Sequence, residues 1–222
     1  NLLIFFMGGG ACWDITNCAY NHTYSEQLIE SNLLLGLGAT GFLEGQGVGG
    51  IMDTTEPSNP FKDWTIVWIP YCTADLGMGQ KDNTYPDEDY GTAYPGGVTI
   101  RHRGLVNVKM VLKWLENNIT TPPDKLFVTG SIAGSYAAIL NYPRIREIFP
   151  SPTKGYMLGD AGEGVAGTSG GKSFFETVED LWGVVLPNQI PNFITKPKLS
   201  DYSDYKSVFY EISSYYSGDK FA

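Results

Sequence analysis

The ten residues Leu126-Phe127-Val128-Thr129-Gly130-Ser131-Ile132-Ala133-Gly134-Ser135 constrain this chain more than any other stretch. The apolar run Leu126–Val128 reads as a buried strand, and the alanine-rich run through about Leu140 reads as a helix. Small residues between them let strand and helix close on each other at a tight turn. This is the setting of a nucleophile elbow, in which one side chain is lifted on strained backbone above the edge of a sheet. Covalent catalysis needs a nucleophilic atom at that summit. The residue there is Ile132, whose side chain is hydrocarbon. A β-branched residue is also poorly suited to the positive φ of such a turn. Either the fold holds it there at about 1–3 kcal/mol, or the turn relaxes and carries the Ala133 amide out of place. Ser131 offers the nearest hydroxyl, one position early. A one-residue shift changes the direction of the side chain, and the simpler role for Ser131 is a hydroxyl bonded to local backbone.

The rest of the chain alternates strand and helix. Leu2–Phe6 reads as a continuously buried strand that runs into Gly8-Gly9-Gly10, and 64–69 as a second strand ended by Pro70. Residues 25–35 are expected to be helical, 36–50 a glycine-rich loop, and 82–95 a surface excursion. Leu105, Val108, Val111, Leu112 and Leu115 form an apolar stripe at helical spacing, with Lys109 and Lys113 facing outward. Gly155–Gly159 suggests a late strand, 173–181 a short helix, and 201–216 a final helix burying Val208 and Ile212. Pro187, Pro191 and Pro197 favour loops or a lid-like insertion within 173–200. The expected fold class is α/β: a mostly parallel sheet with helices on both faces, formed by one domain over residues 1–222. The start at Asn1-Leu2-Leu3 reads as a truncation or a mature terminus.

No apolar run approaches the roughly 18 residues of a membrane span. Fifteen basic against 24 acidic side chains give a formal charge of −9, which disfavours a nucleic-acid groove. Three cysteines without nearby histidines make a poor metal site, and no cofactor is indicated. Cys12 and Cys18 are close enough for a disulfide if the loop curls back, with buried free thiols as the alternative and Cys72 left over. Sequons at Asn21 and Asn118 point, with such a bridge, to a secreted or extracellular protein, with cell-wall or cell-surface association as a further expectation. His22 sits inside the first sequon and is expected at the surface.

Several landmarks occur together and in order. Gly8-Gly9-Gly10-Ala11-Cys12-Trp13-Asp14, Ile69-Pro70-Tyr71-Cys72-Thr73-Ala74-Asp75, His102-Arg103-Gly104 with Asn107, the elbow, and the Gly155–Gly162 stretch around Asp160 resemble the pectin acetylesterase and Notum carboxylesterase family of serine α/β-hydrolases. Ala74 departs from the glycine of the family pattern. The resemblance implies an oxyanion hole built on Gly9, Gly10 and Ala133, which would stabilise charge developing on a carbonyl oxygen, while their simpler and favoured role here is tight turn formation. It implies pocket positions at Trp13, Tyr71, Asp75, His102 and Trp182, with core packing as the alternative for the aromatics. His102 is expected to hold structure or line the pocket, and Asp160 to stabilise a turn, because the family's catalytic aspartate and histidine fall beyond Ala222 and leave the C-terminal part incomplete. The implied activity is carboxylic ester hydrolysis of the polysaccharide O-acetylesterase type, inactive or impaired at Ile132, with a binding or structural role toward a polysaccharide or protein partner. An active secreted esterase and a structural glycoprotein of an extracellular assembly are the alternatives.

Overall fold

Leu2, Leu3 and Ile4 are consecutive and all buried. Successive strand residues point to opposite sides, so strand β1 (Leu2–Phe6) must be covered on both faces. It lies inside a five-stranded sheet in which every neighbouring pair is parallel. The computed structural model describes residues 1–21, 23–24, 50–87, 94–162, 168–169, 172–202 and 204–222. The expected helix at 25–35, nearly all of the glycine-rich loop, and His22 lie outside them.

After β1 come β2 (Thr65–Ile69), β3 (Lys81–Tyr85), β4 (Val98–His102), helix α1 (Gly104–Asn118), β5 (Lys125–Ser131), α2 (Ala133–Ile148) and β6 (Lys154–Asp160). A two-residue pair, β7 (Thr168–Ser169) and β8 (Lys172–Ser173), leads to α3 (Phe174–Trp182), α4 (Pro191–Thr195), α5 (Tyr205–Tyr215) and β9 (Lys220–Phe221). The main sheet runs β2-β1-β5-β6-β9. The mostly parallel architecture expected from the alternating pattern is therefore the observed one. Parallel neighbours require crossover connections, and α2 supplies the one between β5 and β6.

The stretch at 82–95 corrects one expectation. Residues 81–85 are a strand, paired antiparallel with β4 from Lys81 opposite His102 to Tyr85 opposite Val98. Its polar composition hid it because this hairpin stands off the main sheet, exposes Lys81, Asp82 and Thr84, and sends Tyr85 inward.

In α1 the buried positions Leu105, Val108, Leu112 and Leu115 keep helical spacing, while Lys109 and Lys113 stay exposed as expected. Helix α3 begins with a reciprocal cap between Ser173 and Glu176 and stops at Gly183, whose φ of 64° suits glycine. Asp204 caps α5 by accepting from the Ser207 amide at 2.7 Å. The 173–200 segment is seated through Phe175, Val178, Trp182, Leu186, Ile190, Phe193 and Leu199, which join the same core as the sheet. At the β9 edge of the sheet, Asp219, whose side chain is 7% exposed, fastens the strand. It accepts from Tyr142 Oη at 2.8 Å and the Gly155 amide at 3.1 Å, and Arg146 Nε lies 2.8 Å away.

Candidate active site

Phe6 is in register with Gly130 and with Ile69, and Ser131 with Asp160. The loops leaving β1, β2, β5 and β6 therefore emerge at one carboxyl edge of the sheet, where ligand sites of open α/β sheets gather. The register brings together the Gly8–Gly10 run, Tyr71, the turn at Ile132 and Asp160.

The turn has not relaxed. Ile132 has φ 57° and ψ −118°, immediately before the first residue of α2. Its amide donates to the Asp160 carbonyl at 2.8 Å, and its own carbonyl accepts from the Ser135 amide at 3.1 Å. Two glycines make the turn sterically feasible. A Cβ on Gly134 would overlap the Phe6 carbonyl, and one on Gly8 would overlap the Ser131 carbonyl. From the Gly8 Cβ position the Ala133 nitrogen is only 3.1 Å away and the Ile132 Cβ 3.2 Å. The glycine run thus lies directly against the elbow. The Ile132 side chain is 57% exposed and stands where an attacking atom would be presented. Ala133 is buried below it, and Ser131 is half-buried as the last residue of β5.

Behind the glycine run lies a buried polar frame. Tyr71 Oη donates to the Gly10 carbonyl at 2.7 Å and accepts from the Leu76 amide at 3.0 Å. Asp75 is fully buried and its two oxygens take three donors. These are Thr73 Oγ1 at 2.8 Å, the Gly77 amide at 3.1 Å, and the Gly104 amide that opens α1 at 2.7 Å. Burial pushes the Asp75 carboxyl up from its ordinary range, and these hydrogen bonds act against that shift. His102 is also fully buried. Its Nδ1 lies 3.2 Å from the Thr73 carbonyl, which can only accept, so Nδ1 carries the proton and Nε2 accepts from Tyr85 Oη at 2.9 Å. Burial pushes the His102 pKa down to about 4, so the ring is neutral at neutral pH. Trp182 packs on His102 and donates from Nε1 to the Cys12 carbonyl at 2.7 Å. The Cys12 amide donates to the Ala74 carbonyl at 2.8 Å.

The expected pocket positions therefore divide. Tyr71, Asp75, His102 and Trp182 are buried and bonded within the protein. Their polar atoms are already occupied, which leaves no ring nitrogen of His102 to take a proton from residue 132. Trp13 alone among them reaches solvent, at 37% exposure. It stands edge-on to Phe174, 5.3 Å between ring centres, and Asn17 Oδ1 accepts from its amide at 2.6 Å. Asp160 exposes its side chain and contributes its carbonyl to the elbow. Ala74, singled out as standing where the family pattern has glycine, has a φ of 50°, while Thr73, Tyr85 and the positive-φ Leu76 and Ala161 were not singled out from the sequence.

Cys12 and Cys18 form a disulfide with Cα atoms 4.6 Å apart, which fixes the loop carrying Trp13. Cys72 is free and half-buried. Asn21 and Asn118 are both exposed. Among the described residues no three His, Cys, Asp or Glu side chains are grouped to hold a metal ion, and no helix is long and apolar enough to cross a membrane.

Comparison with known proteins adds two findings. The profile of the pectinacetylesterase family, described by that name, matches residues 1–194. Two crystal forms of the Wnt deacylase Notum from Drosophila share the fold. The first has a TM-score of 0.62 at 20% identity over 99% of this chain, the second 0.59 at 21% over 99%. The chain spans about 60% of the length of those Notum chains.

Proposed function

This chain belongs to the pectinacetylesterase family, and on that premise we propose that it is a member in which acyl transfer is lost and a binding function is retained. One observation carries the reading: at the summit of a fully formed elbow stands an exposed isoleucine at φ 57°. In a working site a serine there would attack an ester carbonyl, a histidine would take its proton, and backbone amides would stabilise the tetrahedral oxyanion. Isoleucine has no atom that forms the acyl bond. Everything that shapes the elbow is nevertheless kept: Gly8 and Gly134 where a Cβ would collide, and the Asp160 carbonyl on the Ile132 amide.

That retention supports a site that receives an ester-bearing saccharide without cleaving it. Amides at Gly9, Gly10 and Ala133 would donate to the carbonyl oxygen. The half-open Trp13 ring, rigidly placed by the Cys12–Cys18 bridge, would stack on a sugar face. The disulfide and the two exposed sequon asparagines, Asn21 and Asn118, support an extracellular, glycosylated protein.

The test is hydrolysis of small acetyl esters by the purified full-length protein. The expected result is no turnover above buffer, unchanged by Ser131→Ala. Turnover that Ser131→Ala abolishes would move the nucleophile one residue back and overturn the reading.

A further inference from the structure

Building on the extracellular reading above, we propose that Asn118 carries an N-linked glycan whose innermost sugars lie back along helix α1 and cover an apolar ridge there, Trp114 first and Met110 after it.

One face of α1 breaks the amphipathic pattern. Leu105, Val108, Leu112 and Leu115 turn one side of the helix to the core. The side away from them should then be polar. It carries instead Val106, Met110 and Trp114, each four residues from the next and so stacked turn upon turn. Met110 is 67% exposed and Trp114 56%. Single apolar residues at a surface are ordinary, whereas a row of them marks a surface that something covers. The next place in the same row is Asn118, the last residue of the helix. It opens the triplet Asn118-Ile119-Thr120, an acceptor for N-linked sugar.

The backbone presents that triplet. Helix α1 stops at Ile119, which is half-buried against the core, while Asn118 and Thr120 on either side of it are exposed. Side chains on a helix lean toward its N-terminus, so Asn118 lies over the turn that holds Trp114. Its Nδ2 donates to the Trp114 carbonyl at 2.7 Å, which fixes that direction. This bond uses one of the two N–H groups of the carboxamide. Glycosylation replaces the other. That N–H bond breaks and Nδ2 bonds to the anomeric carbon of an N-acetylhexosamine. The donor, a polyprenyl diphosphate oligosaccharide, loses its sugar–oxygen bond, and the diphosphate departs with the proton.

The first sugar is thereby set down about 6 Å along the axis from Trp114, and the chain runs on toward Met110, about 12 Å from its root. The C–H face of a hexosamine matches the negative face of an indole ring. The contact needs little affinity of its own, because the covalent link holds the sugar at high local concentration. A separate protein docking on the ridge would have to accommodate a branched sugar at the end of the row, so the glycan is the occupant these positions favour.

The experiment has two readings. Trypsin cuts after Lys113 and Lys125, and the mass of the 114–125 peptide from the full-length protein of its native source, before and after an amidase that releases N-glycans, gives occupancy. Hydroxyl-radical footprinting gives contact, on the intact protein with its glycan whole, with the glycan trimmed to the first sugar, and on Asn118→Gln. The peptide should carry an N-acetylhexosamine-rooted glycan. Oxidation of Trp114 should rise about threefold in Asn118→Gln and stay low in the trimmed form, as expected of a ring contact of ordinary strength. Oxidation of Met110 should rise in both. An unmodified peptide overturns the proposal: if Asn21 is then found glycosylated the extracellular reading survives, and if neither asparagine carries sugar both fail. An occupied Asn118 with Trp114 equally reactive in all three forms also overturns it, since the glycan would then stand off the helix.

Discussion

Of the carboxyl-edge loops that hold non-glycine residues at positive φ, two do so for different reasons. In the 73–77 loop, Ala74 at φ 50° and Leu76 at φ 55° flank Asp75, whose buried carboxylate gathers three donors. Strained backbone there is matched by a hydrogen-bond network that ties the loop to the start of α1. At the elbow, Ile132 at φ 57° gains nothing comparable from its side chain, which stands in solvent. Its strain is held by close packing around it, the Gly8 and Gly134 contacts. The first loop is a joint that stabilises the fold. The second is a strained turn held by packing alone, with a side chain that no bond ties to the fold.

The comparison can be broken most forcefully at Asp75. Asp75→Ala leaves the Gly104 and Gly77 amides and the Thr73 hydroxyl without their acceptor in a buried place, and should cost about 3–5 kcal/mol of stability in denaturant unfolding. A loss below about 1 kcal/mol would show that the loop is not the joint described here.

Next in size is the pH dependence carried by His102. Its folded pKa of about 4 lies below the ordinary value of 6.5. Between those values the unfolded chain binds a proton that the folded protein refuses. Its contribution is therefore complete above pH 6.5 and is lost as pH falls toward 4, up to about 3 kcal/mol. Unfolding measured across that window should show the decline, and His102→Asn should flatten it. An unchanged slope in His102→Asn would place the titrating group elsewhere.

The smallest effect should have the opposite sign. Ile132→Gly removes a β-branched side chain from a conformation glycine adopts freely, and little buried area is lost. The relief of about 1–3 kcal/mol outweighs the added freedom of the unfolded chain, for a net gain of about 1 kcal/mol. A loss of stability on Ile132→Gly would mean that the isoleucine is packing against something and is not an idle occupant of the turn.

How much of this was legible in the sequence follows from the kind of contact involved. Strands β1 and β5, helix α1 and the elbow were readable because apolar runs, helical spacing and paired glycines are local signals. Strand β3 was not, since a solvent-facing hairpin carries polar residues that read as a loop. The site was legible in part. The position of Ile132 followed from the strand–turn–helix pattern, but whether the turn held or relaxed depended on Phe6 and Gly8, more than 120 positions earlier in the chain. The burial of Asp75, His102 and Trp182 was likewise beyond reach, because their partners Gly104, Tyr85 and Cys12 are brought in by tertiary packing.

The central claim is that the elbow is formed but carries nothing able to take an acyl or phosphonyl group. It is tested most directly by incubating the intact protein with a serine-directed fluorophosphonate and weighing it by mass spectrometry. The account predicts an unmodified mass, and an unmodified 126–135 peptide after digestion. A stoichiometric adduct on Ser131 would contradict it.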